Sequence, residues 1–158
     1  MTNYINTIKT RLTEIARTVP NIKRADVEAP AALPLTDLPY VNNFVGPVTD
    51  FSKIGDELAV ETRSYVLRLY VKPAQSGYDG EAEKAVEPFL ISFRDVFLSH
   101  PSLGLGTDSS DIDFVEKMDW LGDGGVMVFP IGEKEKILGT EFRISVKTIV
   151  PITFANYE

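Results

Sequence analysis

The sequence has no cysteine and only one histidine among its 158 residues. The absence of cysteine excludes disulfides, thiolate nucleophiles and cysteine-ligated metals, and one histidine argues against a histidine-rich zinc site. No apolar run approaches the roughly 20 residues that span a bilayer. The N-terminal stretch "MTNYINTIKTRLTEIAR" also lacks the apolar region of a signal peptide. We therefore expect a protein made in a cytoplasm.

The charge is negative overall and unevenly spread. A net charge of −7 argues against broad binding to a phosphate backbone, which needs clustered Lys and Arg. Residues 1–28 carry five basic and three acidic side chains. Residues 104–123 carry Lys117 as their only basic residue, against six acids: Asp108, Asp111, Asp113, Glu116, Asp119 and Asp123. The sequence predicts one domain, residues 1–158, with a strongly negative region.

The N-terminal third combines a helix pattern with a proline-rich stretch. Apolar residues at spacings of three and four predict a helix over about 3–18 that stops before Pro20. Residues 20–50 hold five of the ten prolines. This composition excludes a helix and disfavours a central strand. We expect an extended surface connection with short extended pieces such as "YVNNFVG".

The middle of the chain predicts a strand followed by a helix. "ELAVETRSYVLRLYVKP", residues 57–73, is dense in β-branched and aromatic residues, so it forms one long strand or two strands broken near Thr62. The next apolar stripe ends near Ser99 and contains Pro88. The helix begins near Glu87, or it begins near Gly80 and is kinked. The stripe and the early glutamates favour the longer helix.

Three more strands are predicted after residue 110, in "IDFVEKMDWL", "GVMVFPI" and "KILGTEFRISVKTIVPITF". The first and last alternate between apolar and polar residues, although Val115 and Leu121 interrupt the polar face. "GDGG" is expected to be a tight turn between the first two. Trp120 is expected in the core. The order of elements predicts an α+β fold with a mixed or largely antiparallel sheet and two helices packed on one face.

No catalytic constellation is visible. His100, in "FRDVFLSHPSLGLG", has no obvious partners and no G-x-S-x-G elbow accompanies it, so we expect it to end a helix. The glycine-rich "GLG" and "GDGG" lack the spacing of nucleotide-binding loops. "DSSDID" lacks the pattern of a calcium loop and is interpreted as a solvated or partner-facing acidic loop. We expect no enzyme activity, cofactor or metal. Phe51 and Tyr157 are candidates for partner contacts.

The order of elements resembles the tail terminator, or tail completion, proteins of long-tailed bacteriophages. The resemblance covers most of residues 60–150. It rests on a strand ending in "YVKP", on a helix with Phe93 and Phe97 that closes with "HPSL", and on a late strand introduced by "ILGTEFRISV". The proline-rich segment is longer than expected for a minimal member of that family.

The resemblance implies a non-enzymatic virion protein at the tail and neck that assembles in the host cytoplasm. It implies a homo-oligomeric ring, a hexamer, that caps the tail tube and joins it to the head connector. The tail tube protein and a head completion protein are then the partners, and DNA passes through without specific binding. We expect the loop of Asp108, Asp111 and Asp113 to face the channel or an axial surface. Residues 1–28 and 104–123 form one possible pair of complementary surfaces.

Two other functions remain open from the sequence. One is a monomeric or dimeric domain that binds a small ligand, which requires a concave apolar pocket. The other is an enzyme that uses carboxylates alone. The oligomeric state distinguishes the ring from both.

Overall fold

The computed structural model describes residues 4–74, 80–104, 114–132 and 135–151. Its first element, α1 (Tyr4–Arg17), matches the predicted helix. Its buried apolar residues recur with helical spacing, so they form one stripe: Ile8, Leu12, Ile15 and Ala16. The backbone N–H of Val19 bonds to the carbonyl of Ala16, and the helix has ended by Pro20.

The proline-rich segment contains more regular structure than its composition predicts. It holds β1 (Arg24–Asp26), a 3-10 turn (Leu35–Asp37) and the first part of β2 (Tyr40–Ile54). Residues 40–46 are extended, as predicted, but they are not a short piece, because β2 continues through Pro47 to Ile54. The sheet accommodates Pro47 because the pairing register shifts on both sides of Val48, and a bulge tolerates a residue without an N–H.

The centre of the sheet is made by its two longest strands. β3 (Leu58–Pro73) is continuous through Thr62, so the alternative of two strands is excluded. It pairs antiparallel with β2 on one side and with β6 (Glu135–Pro151) on the other. The strand order is β1-β2-β3-β6-β4, with β5 also paired to β6, and β1 with β2 is the parallel pair.

The two strands before β6 do not form a hairpin with each other. β4 (Phe114–Asp123) and β5 (Met127–Ile131) both pair antiparallel with β6, one after the other along the same edge. The glycine-rich link therefore joins successive pieces of one edge, and the prediction of a tight turn is wrong. A register shift between Val115 and Lys117 also places Val115 in the core with Met118, which the plain alternation did not predict.

The second helix, α2 (Gly80–Leu98), is the longer of the two alternatives and contains Pro88. It contributes a row of buried residues at helical spacing: Val86, Phe89, Phe93 and Phe97. Phe93 stacks on Phe142 of β6, with ring centroids 4.4 Å apart. Trp120 packs against Phe97 and Phe142, which confirms its predicted place in the core.

Buried residues of α1 and α2 belong to one hydrophobic cluster, with alternate β3 residues from Tyr65 to Val71. A second, smaller cluster consists of Leu38, Tyr40, Tyr70, Phe129 and Ile137. Because Tyr70 alternates with Leu69 and Val71 along β3, the second cluster uses the other face of the sheet. The α+β class and the mixed, mostly antiparallel sheet are confirmed. The packing of both helices on one face stays a prediction.

Candidate assembly surface

The outer edge of β2 is mostly unpaired among the described strands. β1 pairs with β2 only from Tyr40 to Asn42. From Asn43 to Ile54, no strand in the described part of the chain pairs with the outer side of β2. An open edge presents unpaired backbone N–H and C=O groups to any strand that approaches.

Large apolar side chains are exposed along this strand and at the start of β3. Five residues share this property: Val45, Val48, Phe51, Ile54 and Leu58. Phe51 has 58% of its surface exposed, although phenylalanine is usually buried in a folded chain. We call residues 43–58 the arm. Its combination of open backbone and exposed apolar side chains is typical of a surface that is covered in an assembly.

A polar cluster joins the arm to the rest of the fold. The carboxylate of Glu61, only 7% exposed, accepts hydrogen bonds from Tyr4 Oη at 2.8 Å and from Arg63 Nε at 2.9 Å. A terminal guanidinium nitrogen of Arg63 donates to the carbonyl of Gly46 at 3.1 Å. These bonds connect the start of α1, β3 and the bulged part of β2. The arm is therefore held against the body of the protein.

The same cluster changes the ionisation of two tyrosines. Burial raises the pKa of the Tyr4 hydroxyl, and its bond to the Glu61 carboxylate raises the pKa further. Burial also raises the pKa of Tyr65, whose hydroxyl has no hydrogen-bond partner within the described residues. Both shifts favour the neutral phenol, so neither tyrosine is prepared to act as a base near neutral pH.

A second connection forms where β2 enters the sheet. Asn43, 3% exposed, donates from Nδ2 to the carbonyl of Lys9 and to Thr13 Oγ1, both at 2.9 Å. This polar contact was not predicted, because the proline content of residues 20–50 favours a surface connection, in which Asn43 would be solvated. The asparagine fixes α1 on β2 at the point where the open edge begins.

The other face of the sheet carries a stacked arginine. The guanidinium of Arg68 lies 4.8 Å from the ring centroid of Phe44 and 4.7 Å from that of Phe129. Its Nε and one terminal nitrogen donate to Glu141 Oε1 at 2.9 and 2.7 Å. Two aromatic rings and a carboxylate therefore contact the guanidinium of Arg68 on several sides. Arg68 therefore stabilises the sheet, and this contact set requires no ligand.

His100 lies just beyond α2, which agrees with its predicted place at the end of the helix. Its Nδ1 lies 3.0 Å from the carbonyl oxygen of Val96, to which it donates in the tautomer that carries a proton on Nδ1. Ser99 Oγ lies 3.0 Å from the same nitrogen but donates to the Val96 carbonyl at 2.6 Å. A protonated Nδ1 does not accept the serine proton. The serine hydroxyl is directed at the helix carbonyl in this arrangement, whereas a nucleophile is directed at its base.

Metal and ligand sites are not evident in the described part of the chain. Among those residues, no group of three or more His, Asp and Glu side chains is placed to hold a metal ion. No described helix is long and apolar enough to cross a membrane.

A cleft of about 160 Å³ lies between the 3-10 turn and the adjoining ends of β3 and β6. Small-molecule sites are usually about 300–1,000 Å³.

Of the predicted contact residues, the structure places Phe51 on the arm, where it is exposed. The others, Asp108, Asp111, Asp113 and Tyr157, lie outside the described residues. The remaining apolar residues of the arm were missed because Pro47 and the irregular spacing of Val48, Phe51 and Ile54 conceal the strand pattern. The short "GDE" between two apolar segments was the available signal for a turn between β2 and β3.

The geometry defines an α+β domain whose sheet ends in an open, partly apolar strand. No protein-family model matches the chain, and no curated protein matches it.

Proposed function

We propose that this protein is a structural subunit of a virion, similar to phage tail terminators, that assembles into a ring at the end of the tail tube. The proposal combines the sequence resemblance with one structural observation, the open and apolar arm. A stable monomer usually protects such an edge with charges, a covering element or a very short strand. Here the edge runs for 12 residues, from Asn43 to Ile54.

Ring formation requires two different surfaces on each subunit that fit each other. The arm supplies one surface of this kind, because exposed apolar area is what a subunit contact buries. The proposed partners are further copies of this chain in a hexameric ring, the tail tube protein on one side and a head completion protein on the other. DNA passes through the ring, and the net charge of −7 disfavours binding to the duplex.

The alternative of a small-ligand-binding domain has weaker support. The cleft beside the 3-10 turn is about 160 Å³, roughly half the lower end of the usual range. It is lined in part by Pro73, Glu135 and Lys136 at strand ends. The arm, in contrast, is an exposed edge strand. An assembly function uses the arm, and a ligand-binding function leaves it unexplained.

The test is the oligomeric state of the full-length protein. Native mass spectrometry and negative-stain electron microscopy over a concentration series are expected to show closed hexameric rings. Phe51→Ser and Val48→Ser should shift the equilibrium towards monomer, while circular dichroism remains unchanged. Ile91→Ser is the matched control, because Ile91 is 56% exposed but lies on α2. A protein that stays monomeric at every concentration contradicts the proposal.

A further inference from the structure

A second open edge in the described part of the sheet is the outer side of β4, where no described strand pairs. Among the described strands, a further strand can add on the outer side of β2 or on the outer side of β4. β4 is separated from β2 by β3 and β6, and all three pairings are antiparallel. β2 and β4 therefore run in opposite directions. A copy that places its β4 beside β2 continues the antiparallel alternation.

The two edges also lie at the same height across the sheet. Following the pairing register, Asn43 of β2 is level with Asp123 of β4. At the other end, Ser52 is level with Phe114. Residues 43–52 of β2 are thus level with the full length of β4. This stretch begins directly after the last residue of β2 that pairs with β1. Copies in a closed ring are related by rotation alone, so strands that run along the ring axis meet at equal heights.

Side chains on the two edges match when they are compared height by height. Asp50 pairs with Thr62, Thr62 with Lys147, and Lys147 with Lys117 of β4. An exposed carboxylate on one edge is therefore level with an exposed ammonium on the other. Lys117 Nζ also lies 3.2 Å from Asp119 of its own strand, and both side chains are at least half exposed. The ammonium retains donors for a second carboxylate.

Apolar residues match in the same way. Three apolar residues of β2 are level with three apolar residues of β4: Val45 with Trp120, Val48 with Met118, and Phe51 with Val115. The first two pairs point to the face of the sheet that carries the larger cluster, because cluster residues lie between them in register: Tyr65 and Ile144 for the first, Val146 for the second. In the third pair, Val115 itself belongs to that cluster. The exposed apolar side chains of the arm would thus extend the core of the neighbouring copy.

From these matches we infer that the β2 edge of one copy, residues 43–52, pairs antiparallel with the β4 edge of a second copy, with Asp50 beside Lys117. The β2–β4 contact itself does not depend on the proposed function. Only the closure of successive contacts into a ring depends on it. One backbone donor of β4 is already used, since Met118 N–H bonds to the carbonyl of Pro101 at 2.7 Å. The contact therefore combines a partial backbone ladder with the apolar and charged side-chain pairs.

The absence of cysteine from the chain makes a direct cross-linking test possible. Asp50→Cys and Lys117→Cys are made separately, one carrying a size tag, and each thiol is shown to react with a labelling reagent. The mixture, treated with mild oxidant or a short bis-maleimide, is expected to give the mixed dimer. Opposed residues of an antiparallel pair have Cβ atoms about 4.5–5.5 Å apart, within reach of both reagents. Asp50→Cys mixed with Ser145→Cys is the control, because Ser145 lies one strand further in, opposite Asp119.

A charge exchange gives an independent readout. Asp50→Lys should raise the concentration needed for half-assembly about tenfold, because it places like charges together at each contact. Adding Lys117→Asp to the same chain should restore assembly. If Asp50→Lys weakened assembly only by disturbing the fold, adding Lys117→Asp would not restore it.

The outcomes separate this inference from the proposed function. Rings without the mixed cross-link, or Asp50→Cys dimers formed with itself alone, overturn the β2–β4 contact and leave the ring intact. Mixed cross-links that build open chains support the contact and overturn the closed ring. Absence of both cross-links and oligomers overturns both proposals.

Discussion

Arg11 of α1 donates from Nε to the carbonyl oxygen of Leu103 at 2.6 Å, which joins the first helix to the turn that follows the second. Leu103 is fully buried and has a φ of 58°, a left-handed conformation that is uncommon for a branched residue. The bond therefore holds a strained residue in the core. The "HPSLG" sequence after α2 acts as a structural connection between α1, α2 and β4.

Replacing Arg11 should weaken this connection. Arg11→Met keeps much of the apolar stem but removes the charged donor, and a cost of about 1–2 kcal/mol in the free energy of unfolding is expected. Urea denaturation measures the cost. Arg94→Met is the control, because the exposed Arg94 bonds only to its neighbour Asp95 in the described contacts and should change stability by less than about 0.5 kcal/mol. Equal effects of the two variants would contradict the role of Arg11.

Tyr65 should limit stability at alkaline pH. Burial raises the pKa of its phenol in the folded state, whereas the unfolded chain ionises at about pH 10. A raised folded pKa gives stability that is complete below about pH 10 and is lost as pH rises above it. Tyr65→Phe should flatten this loss in urea titrations between neutral and alkaline pH. At neutral pH it should also increase stability by about 1 kcal/mol, because it removes a buried hydroxyl without a partner among the described residues.

The same alkaline titration distinguishes Tyr4 from Tyr65. The pKa of Tyr4 is raised by burial and by Glu61, so Tyr4→Phe should also reduce the alkaline loss. Unlike Tyr65→Phe, it should lower stability at neutral pH, since it removes a bond to a buried carboxylate. If both variants gain stability at neutral pH, the assignment of the Tyr4–Glu61 bond is wrong.

Gly139 should not tolerate a side chain. It lies where β6 passes close to β3, and a Cβ atom there would overlap the carbonyl oxygen of Leu69. Gly139→Ala forces the two central strands apart and should cost about 3 kcal/mol, measured by thermal or urea unfolding. In Gly124→Ala the new methyl meets the flexible side chain of Met127, so a loss below about 1 kcal/mol is expected. A small effect at Gly139 would show that the strands separate easily.

His100 should be replaceable. Its partly exposed ring bonds to the Val96 carbonyl, so His100→Gln should change the free energy of unfolding by less than about 1 kcal/mol. Rings should form as before, as judged by native mass spectrometry. Loss of assembly without loss of folding would assign His100 a role that its contacts do not explain.

The acidic loop predicted to face the channel or a neighbour stays a prediction, because Asp111 and Asp113 lie outside the described residues. If it complements the basic residues 1–28 of another copy, Asp111→Lys with Asp113→Lys should weaken assembly in light scattering. Glu87→Lys with Asp95→Lys makes the same charge change on the exposed surface of α2 and serves as control. Unchanged oligomer size in the loop variant would remove the loop from the subunit contact.

The sequence alone determined most of the element order and the α+β class. Helical periodicity identified α1 and the longer form of α2, and two-residue alternation identified β3 and β6, because these patterns depend on local geometry. Composition predicted that His100 ends a helix, and the residue lies just beyond α2. Phe51 was predicted to lie in an exposed segment, and it is exposed in the structure.

Only the tertiary structure decided how the strands join. Bulges beside Val48 and Val115 change which face a residue occupies, and a sequence pattern with a fixed period of two does not reveal them. Residues 40–50 form a strand despite Pro47 because β3 supplies the hydrogen bonds, and β4 and β5 share one edge because β6 is long enough to pair with both. The open β2 edge, level with β4 and opposite in direction, arises from these long-range pairings, so no local stretch of sequence contains it.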